Sequence, residues 1–342
     1  MSKAKIISTL GPASRDKATI SKMASQGMDV VRLNFSHGSR ESHLRKIKII
    51  SELNRKRKKK IRVMQDLEGY RIRVGRLKNK KIILKNNSIV YLSQEDIVGN
   101  QRIIPFDYKG PLGGIKKENA VYIDDGKIVI KIQTIGRKRI KGKVIRGGAV
   151  WEKKGINIVG AELDFDPITE KDKKDLESTR GCQIDYIAQS FVRSKKDLLI
   201  LKQLLKSQKR TPKVFAKVES LSGLANIDEL IDEADGIIVA RGDLGICLPI
   251  YKVPYFQKKI LEKTKKVQRL SVVATQMLES MTKNMIPTRA EVSDVANAIL
   301  DGADFLLFSG ETAIGKYPVE VVKIARKIIA YTSRGQPKDL FK

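Results

Sequence analysis

The chain has 342 residues and carries 68 Lys and Arg against 38 Asp and Glu, which gives a formal net charge of +30. Hydrophobic residues make up 41% of the chain, which excludes a disordered polycation and predicts a folded core. No apolar run reaches the roughly 18 to 20 residues that cross a bilayer, and no signal peptide opens the chain, so we expect a cytoplasmic protein with no membrane partner.

Short β-branched runs alternate with amphipathic segments along the chain, a pattern typical of a parallel sheet with crossover helices. The predicted strands are Lys5–Leu10, Asp29–Phe35, Ile61–Leu67, Tyr186–Phe191, Lys213–Glu219, Gly236–Ala240, Ser271–Thr275 and Phe305–Ser309. The predicted helices are Asp16–Gln26, Arg40–Asn54, Thr169–Thr179, Lys195–Ser207, Asn226–Ala234, Val253–Val267, Arg289–Asp301 and Val319–Tyr331. Eight strand and helix units predict an α/β fold of the (β/α)8 TIM barrel type, which takes about 250 residues.

An insertion interrupts this alternation after the third strand. Residues 70–165 contain short β runs separated by Gly, Asn and Asp turns, at Lys81–Leu84, Ser88–Leu92, Val121–Ile123 and Lys127–Ile132. We predict a small, all-β, barrel-like lid domain there, with residues 1–69 and 166–342 forming the TIM barrel. The polar segment Arg334–Lys342 is expected to fray.

Cysteine and histidine are scarce in this chain. Cys182 and Cys247 stand far apart, which excludes a disulfide framework and a zinc site. His37 and His43 are the only histidines. Any catalysis must therefore rest mainly on carboxylates, Lys, Arg and hydroxyl groups.

The net positive charge raises the question of nucleic-acid binding, since clustered Lys and Arg neutralise phosphates. Two clusters qualify, Arg55–Lys60 and the stretch from Arg137 to Arg146. No aromatic stripe is interleaved with them, and no zinc-finger or helix-turn-helix signature occurs. The sequence therefore favours a solvated surface that also suits anionic ligands.

Polar residues are concentrated at the carboxyl ends of the predicted strands, where the active sites of TIM barrels lie. They are Arg32, Asn34, Ser36, His37, Asp66, Lys217, Glu219, Arg241, Gly242, Asp243, Thr275, Gln276, Ser309, Gly310, Glu311 and Thr312. One or two such residues would be ordinary loop polarity. This many convergent groups predict a functional site.

Lys217 and Glu219 lie two residues apart on one strand and therefore point to the same side of it. A structural ion pair is one interpretation, but burying charges without a function is costly. Glu219 and Asp243 form a carboxylate pair suited to Mg²⁺ or Mn²⁺, which bind few protein oxygens and complete their shell with water and phosphate. Arg32, Arg73 and Lys217 then supply the cations that a phosphoryl group needs during transfer.

A rival phosphate-binding motif lies near the end of the chain. Gly310–Lys316 has the G-x-x-x-x-G-K spacing of a Walker A loop. Tyr317 stands where a Ser or Thr hydroxyl must reach Mg²⁺, and the eighth strand is late for the first element of a mononucleotide fold. We interpret this match as chance.

Several long motifs occur in a fixed order along the chain. They are AKIISTLGPAS at Ala4–Ser14, GMDVVRLNFSHG at Gly27–Gly38, VARGDLG at Val239–Gly245, ATQMLESM at Ala274–Met281, PTRAE at Pro287–Glu291 and SGETA at Ser309–Ala313. In these motifs the chain resembles the pyruvate kinase family, from Ala4 to about Pro318. The fold of that family, a TIM barrel with a β domain inserted after the third strand, agrees with the independent count of elements.

The resemblance implies transfer of the phosphoryl group of phosphoenolpyruvate to ADP, with ATP and pyruvate as products. It implies catalytic roles for Lys217, Thr275, Arg32, Arg73, Ser309 and Glu311. Lys217 would stabilise the migrating phosphoryl group, Thr275 would stand beside the enol carbon, and Ser309 with Glu311 would form a proton relay. Substrate would be bound by Arg32, Lys217, Gly242, Asp243 and Thr275. Glu219 and Asp243 would hold Mg²⁺ or Mn²⁺.

The resemblance also implies a nucleotide site and a region for a monovalent cation. The nucleotide residues would be Asn34, His37, Arg73 and Lys154, and the cation region would comprise Asn34, Ser36, Asp66 and Leu67. Family members that need K⁺ carry an acidic residue at the position of Arg71. We therefore expect the guanidinium of Arg71 to replace K⁺, so that K⁺ is not required.

Other positions depart from the family pattern. Glu68 replaces a Lys or Gln near the nucleotide phosphates, where it could weaken ADP binding by repulsion or be neutralised by Arg71 and Arg73. Cys247 replaces a Glu, and Arg269–Ser271 replaces Lys-Pro-Val. The usual C-terminal domain is expected to be absent, and with it allosteric control by sugar phosphates.

The favoured function is that of an active pyruvate kinase that binds phosphoenolpyruvate and ADP or ATP and forms a homo-oligomer, a dimer through barrel faces. Two alternatives remain open. One is a phosphoenolpyruvate-dependent barrel enzyme with another acceptor. The other is a catalytically impaired protein that binds partners such as nucleic acid through its basic surface.

Overall fold

The part of the chain described by the computed structural model, residues 4–206 and 211–333, forms sixteen β-strands and eleven α-helices. The strands are β1 Lys5–Thr9, β2 Val30–Asn34, β3 Arg62–Asp66, β4 Lys81–Leu84, β5 Ile89–Ser93, β6 Ile103–Pro105, β7 Ala120–Ile123, β8 Ile128–Ile135, β9 Arg139–Arg146, β10 Gly148–Trp151, β11 Ile156–Val159, β12 Tyr186–Gln189, β13 Lys213–Val218, β14 Gly236–Ala240, β15 Leu270–Ala274 and β16 Phe305–Phe308. The helices are α1 Lys17–Ser25, α2 Arg40–Arg55, α3 Glu170–Ser178, α4 Lys195–Leu205, α5 Leu221–Ala225, α6 Ile227–Glu233, α7 Arg241–Cys247, α8 Val253–Lys266, α9 Arg289–Leu300, α10 Gly310–Ala313 and α11 Pro318–Thr332.

Eight parallel strands close into a barrel in the order β1, β16, β15, β14, β13, β12, β3, β2. Successive side chains of a strand point to opposite faces, so each barrel strand contributes to two cores. Ile7 belongs to the cluster inside the barrel and Ile6 to the cluster beneath the helices. Tyr186, Phe215 and Phe305 fill the interior with edge-to-face ring contacts at 5.3 to 6.3 Å between centroids. The prediction of a TIM barrel is confirmed.

Several helices, α1, α2, α3, α5 and α9, begin after residues whose side chains accept from the first free backbone N–H groups. Asp16 accepts from the N–H of Thr19 before α1. Thr169 before α3 and Thr288 before α9 form capping boxes with Asp172 and Glu291. The predicted helices match the observed ones to within about two residues, and at α1, α3 and α9 the capping side chain marks the first residue of the helix.

The segment between β3 and α3 has its own sheets and its own hydrophobic cluster. A six-stranded sheet has the order β11, β7, β8, β9, β5, β6, and β10 pairs with β4. The four β runs predicted here correspond to β4, β5, β7 and β8. The basic stretch from Arg137 to Arg146 contains β9, in which Ile140, Gly142 and Val144 are buried and the basic residues lie on the other face. The basic residues of this stretch thus lie on the face of β9 opposite the buried core, as expected for a solvated surface.

Seven of the eight barrel strands end one or two residues before their predicted ends, and at two of them the backbone turns sharply. Thr275 and Gln276 have φ of +70° and +54°, and Phe191 has φ of +54°, so the backbone leaves the extended conformation after β15 and β12. The short helices α5, α7 and α10 are not predicted by the sequence, because each follows a barrel strand closely, where polar residues indicate a loop.

Two predicted features reach beyond the described residues. The last residue predicted for the fourth helix, Ser207, and the segment expected to fray, Arg334–Lys342, lie outside them. Among the helices that the structure describes, none has the length and apolarity needed to span a bilayer.

Candidate active site

Parallel pairing places the carboxyl ends of the eight barrel strands at one rim, and the candidate residues meet there. Asn34 at the end of β2 lies opposite Asp66 at the end of β3. Lys217 on β13 lies opposite Ile238 on β14, three residues before Arg241 at the start of α7. The predicted site residues therefore come from separate parts of the sequence to one end of the barrel.

Lys217 lies at the centre of a buried charge cluster. Its Nζ is 3.0 Å from Glu219 Oε1 and 3.4 Å from Asp66 Oδ1. Burial alone would lower the pKa of Lys217, but Asp66 and Glu219 outweigh burial and hold that pKa above its ordinary value. The ammonium is therefore charged at neutral pH and fixed in position at the barrel rim.

Asp66 is shared by two cations. Its Oδ2 accepts from the Nε of Arg32, and Arg32 also donates to the hydroxyl of Thr9 at 2.9 Å. Burial opposes ionisation of Asp66, yet Arg32 and Lys217 hold the pKa of this carboxyl below its ordinary value. A carboxylate of a residue that is 1% exposed thus holds two cations close together at the barrel rim.

Glu219 and Asp243 fit a divalent cation. Burial raises the pKa of Glu219 to about 7, and repulsion from Asp243 adds to this while Lys217 opposes it. Asp243 thus adds a second negative charge near Glu219, and a bound cation would reduce the repulsion between the two carboxylates. Within the described residues, His, Cys, Asp and Glu side chains form no metal-binding group of three or more. Two carboxylates with other oxygen ligands are the arrangement that Mg²⁺ accepts.

Ser190 belongs to this cluster although sequence reasoning missed it. The Nζ of Lys217 donates to Ser190 Oγ at 2.7 Å, and Ser190 Oγ donates to the carbonyl of Leu67 at 2.7 Å. Ser190 follows strand β12, just as Ser36 follows β2 and Ser309 follows β16, so its position at a strand end could have indicated it. Ser190 fixes the third side of the ammonium and connects it to the end of β3.

Thr275 is held in its left-handed conformation by contacts with the loop after β14. Its Oγ1 accepts from the N–H of Gly242 at 2.8 Å. The guanidinium of Arg241 donates to the carbonyls of Ala274 and Thr275 at 3.2 and 2.6 Å, and to Asp294 Oδ1 at 2.7 Å. Arg241, which was predicted only as a polar residue at a strand end, is thus a positioning residue for the hydroxyl of Thr275.

Glu311 is completely buried and bonded to backbone groups. One carboxylate oxygen accepts from the N–H groups of Met277 and Leu278, at 3.2 and 3.1 Å, and the other accepts from the N–H of Ser309 at 2.7 Å. Glu311 therefore ties the turn after β15 to the turn after β16. The proton relay expected for Ser309 and Glu311 stays a prediction.

Two of the four residues expected on the nucleotide side, Asn34 and His37, line one cavity of about 660 Å³ beside this rim, and Arg73 and Lys154 are not among the described residues that line it. Asn34, His37, Arg32 and Ser309 all contribute to its walls. Burial, with the charges of Arg73 and Arg32, holds the pKa of His37 below its ordinary value despite the opposing Glu68. His37 is therefore a neutral imidazole at pH 7.

Glu68, a departure from the family pattern, is neutralised on both sides. Arg73 Nη2 lies 2.5 Å from its Oε1, and Lys171 Nζ lies 3.3 Å from its Oε2. Arg73 was one of the two expected partners, and Lys171 on α3 was not foreseen. Lys154 is placed elsewhere: its Nζ pairs with Asp124 Oδ1 at 2.8 Å, and it is not among the described residues that line the cavity with His37.

Arg71 points toward the carboxylate side of the site. Its Nη2 is 3.2 Å from Asp125 Oδ1 and 4.0 Å from Asp243 Oδ1. In the expected cation region, the N–H of Ser36 bonds to Asn34 Oδ1 and Leu67 is buried. Asp66 in that region is already bound by Arg32 and Lys217, as described above.

Cys247, another departure from the family pattern, carries a half-buried neutral thiol. Its Sγ lies 3.5 Å from the carbonyl oxygen of Glu219. Burial, with the nearby Asp243 and Glu219, raises the pKa of Cys247 to about 11. The site therefore lacks a negative charge at this position, where the family pattern has a Glu.

The chain is similar to known proteins over almost its whole length. The family model "Pyruvate kinase, barrel domain" matches residues 1–322. A pyruvate kinase of Thermococcus litoralis is 41% identical over 330 residues, covering 96% of this chain and 70% of that relative. One of Staphylococcus aureus is 38% identical over 338 residues, covering 98% of this chain but 58% of the relative, so the chain spans little more than half its length. The solved structure of a pyruvate kinase from Cryptosporidium parvum superposes with a TM-score of 0.93 at 35% identity, over 97% of this chain and 70% of that one.

Replacing Asp66 by Asn should lower the free energy of unfolding by about 3 kcal/mol, because two buried cations lose the carboxylate between them. Urea denaturation followed by circular dichroism measures this change. Asp96, which is 84% exposed and pairs with Arg76, provides the control, and Asp96→Asn should change stability by less than about 0.5 kcal/mol. Equal stability of the two variants would contradict the central role of Asp66.

Proposed function

Because the chain belongs to the pyruvate kinase family, we propose that it transfers the phosphoryl group of phosphoenolpyruvate to ADP. The bond between phosphorus and the enol oxygen breaks, and a bond to the terminal phosphate oxygen of ADP forms. The enolate that is released takes a proton on carbon to give pyruvate. The observation that carries this proposal is the ammonium of Lys217, held by Asp66, Glu219 and Ser190 at the barrel rim.

The proposed chemistry depends on positioned charge. Phosphoryl transfer is accelerated mainly by alignment and by electrostatic stabilisation of the equatorial oxygens. Lys217 and Arg32 supply fixed cations that need no reorganisation, since Asp66 already orients both. Glu219 and Asp243 would hold Mg²⁺ or Mn²⁺, which would neutralise phosphate charge when bound. The hydroxyl of Thr275, fixed by Gly242, would face the enolate carbon that receives the proton.

Replacing Lys217 by Met should reduce pyruvate formation by about three orders of magnitude or more, since the cation that stabilises the transferring group is lost. A lactate-dehydrogenase-coupled assay with phosphoenolpyruvate, ADP and Mg²⁺ measures the rate. Lys213→Met is the matched control, because Lys213 is an exposed residue at the start of the same strand, and its rate should equal that of the unaltered protein. Absence of pyruvate from the unaltered protein at millimolar substrates would refute the proposed function.

The position of Arg71 supports a further part of the proposal, that turnover does not need K⁺. Its guanidinium lies 4.0 Å from Asp243 and thus places a fixed positive charge beside the carboxylate pair. A monovalent cation would supply the same charge. The Asp66 carboxylate, expected near such a cation, already has two partners.

Turnover in tetramethylammonium chloride should therefore equal turnover in KCl at the same total salt concentration. Arg71→Gln should lower the rate about tenfold or more without K⁺, because a fixed charge at the reacting phosphate is removed. Arg76→Gln, a change at an exposed arginine, serves as the control and should have no effect. Strong activation of the unaltered protein by K⁺ would refute this part.

Exposed apolar residues support the proposal of a dimer through barrel faces. Ile250 and Tyr251, just before α8, and Ile286, just before α9, are each 76% exposed. A groove between α8 and α9 is lined by Ile250, Pro254 and Asn297. Three apolar side chains with this much exposed surface beside the same two helices are typical of a surface covered by another protein, and a second copy of this chain is the partner we propose.

Light scattering after size-exclusion chromatography should give about twice the 38.4 kDa chain mass. Ile286→Glu should shift the protein toward the monomer, because a charge would be buried in the apolar contact. Ile83→Glu is the control, since Ile83 is exposed on β4 and away from α8 and α9. A monomeric mass for the unaltered protein at micromolar concentration would contradict the dimer.

A further inference from the structure

Asp294 on α9 is a half-buried carboxylate that binds the guanidinium of Arg241. Its Oδ1 accepts from the Nη1 of Arg241 at 2.7 Å, and the amide oxygen of Gln257 accepts from the same nitrogen at 3.4 Å. In the described part of the chain, Asp294 is the only charged acceptor of this guanidinium. A charged acceptor forms the stronger hydrogen bond, so Asp294 is the main restraint on the direction of Nη1.

The guanidinium of Arg241 passes this restraint to the turn after β15. It is planar, so a bond that fixes Nη1 also fixes the directions of Nε and Nη2. Nε donates to the carbonyl of Ala274 at 3.2 Å, and Nη2 donates to the carbonyls of Thr275 and Gln276 at 2.6 and 3.3 Å. The side chain of Arg241 is only 13% exposed, so little water competes for these bonds. Three successive carbonyls therefore take their orientation from one guanidinium.

The turn needs this support because its backbone is strained. Thr275 and Gln276 both have positive φ, a conformation that a β-branched residue rarely adopts and that persists only where surrounding contacts hold it. The stiff side chain of a threonine follows its backbone, so relaxation of φ would displace Oγ1 from the N–H of Gly242, now at 2.8 Å. The position of the Thr275 hydroxyl thus depends on Asp294 through Arg241.

The charge cluster around Lys217 is held by other strands. Lys217 on β13 and Arg32 on β2 share the carboxylate of Asp66 on β3. In the described residues, no hydrogen bond or ion pair joins these three groups to Asp294 or to the guanidinium of Arg241. A change at Asp294 therefore acts on the turn after β15 and leaves this cluster in place.

We propose that Asp294 is a positioning residue for proton transfer: it orients Arg241, which holds the hydroxyl of Thr275 beside the enolate carbon. In that step the electron pair of the enolate forms a C–H bond with a proton that comes from solvent by way of this hydroxyl. Transfer of the phosphoryl group is a separate step that does not use Asp294. This role rests on the proposed function for the presence of an enolate beside Thr275.

Pyruvate in D2O, with Mg²⁺ and inorganic phosphate, tests proton transfer alone. A methyl C–H bond breaks, its electron pair stays in the enolate, the proton leaves to solvent and a deuteron returns. Asp294→Ala should lower the exchange rate, measured by loss of the methyl signal in NMR, about tenfold or more, because a small displacement of a catalytic group has effects of this size. ATP formation from phosphoenolpyruvate and ADP, coupled to hexokinase and glucose-6-phosphate dehydrogenase, should fall less than about threefold, since phosphoryl transfer depends on the unchanged charge cluster.

Asp301→Ala is the matched control. Asp301 directly follows α9 and pairs with Lys258 on α8, so its replacement also removes an ion pair of this helix. In the described residues, no hydrogen bond or ion pair joins Asp301 to Arg241. Both rates should equal those of the unaltered protein. An equal fall of methyl exchange in Asp301→Ala and Asp294→Ala would make Asp294 a helix contact only and overturn the proposal.

A double variant separates positioning from stability. Asp294→Ala alone leaves a buried guanidinium without its charged partner, which lowers stability. Arg241→Met combined with Asp294→Ala removes both charges, so its urea midpoint should exceed that of Asp294→Ala while its methyl exchange stays as low. Recovery of methyl exchange together with stability would show a structural role and overturn the proposal.

Two further measurements serve if Asp294→Ala does not fold. Asp294→Asn keeps an acceptor oxygen but loses the charge, so it should lower methyl exchange about fivefold, since a neutral acceptor binds a guanidinium more weakly. The amide of Gly242 gives a readout without substrate. Its hydrogen exchange should be faster in Asp294→Asn than in the unaltered protein, because its acceptor on Thr275 is less well held. Unchanged rates for both would overturn the proposal.

Methyl exchange also separates this proposal from the proposed function, because it needs neither phosphoenolpyruvate nor ADP. If no ATP forms but methyl exchange depends on Asp294, the proposed function is refuted and the role of Asp294 stands. If the unaltered protein does not exchange the methyl group, or if ATP formation and exchange fall equally in Asp294→Ala, the proposal is overturned.

Discussion

Asp66 is the residue on which the charged end of the barrel depends. Its buried carboxylate binds Arg32 from β2 and Lys217 from β13, while β12 stands between β3 and β13 in the barrel. The contact between Asp66 and Lys217 therefore joins two strands that are not neighbours in the barrel. This carboxylate lies between the two cations and stabilises both at low exposure, and Glu219 is a second partner of Lys217. Pairing of β2, β3, β12 and β13 in the barrel therefore also brings the three charges of the site together.

Much of the barrel could be predicted from the sequence because parallel strands are apolar on both faces. Ile237, Ile238 and Val239 show the pattern, as all three are buried although they alternate between the two cores. Once the strands were predicted, the candidate residues could be predicted as the polar residues at their carboxyl ends. What the sequence could not supply was the conformation of the turns that follow. Thr275 has a positive φ that β-branched residues rarely adopt, and only the contacts of Arg241 with the carbonyls of that turn account for it.

The ion-pair partners of Glu68 are a second feature that could not be predicted from the sequence. From the sequence, its charge could either repel a nucleotide phosphate or be neutralised by a nearby arginine. The structure gives it two partners, and the second, Lys171, lies on α3 beyond the whole segment that contains β4 to β11. Lys171 also donates to the carbonyl of Phe35 at 2.6 Å. No spacing in the sequence indicates a contact over such a separation, because it depends on how the barrel closes.

The net charge of +30 has a consequence for kinetics that is separate from any contact in the site. A strongly positive protein attracts anions before they touch it, and this attraction raises the rate of diffusional encounter. Dissolved ions weaken that attraction over a screening distance of about 8 Å at physiological ionic strength, whereas buried pairs such as Arg32 and Asp66 are affected much less. Ionic strength therefore changes the rate at which an anionic ligand encounters the protein. The ion pairs of the charge cluster at the barrel rim change little.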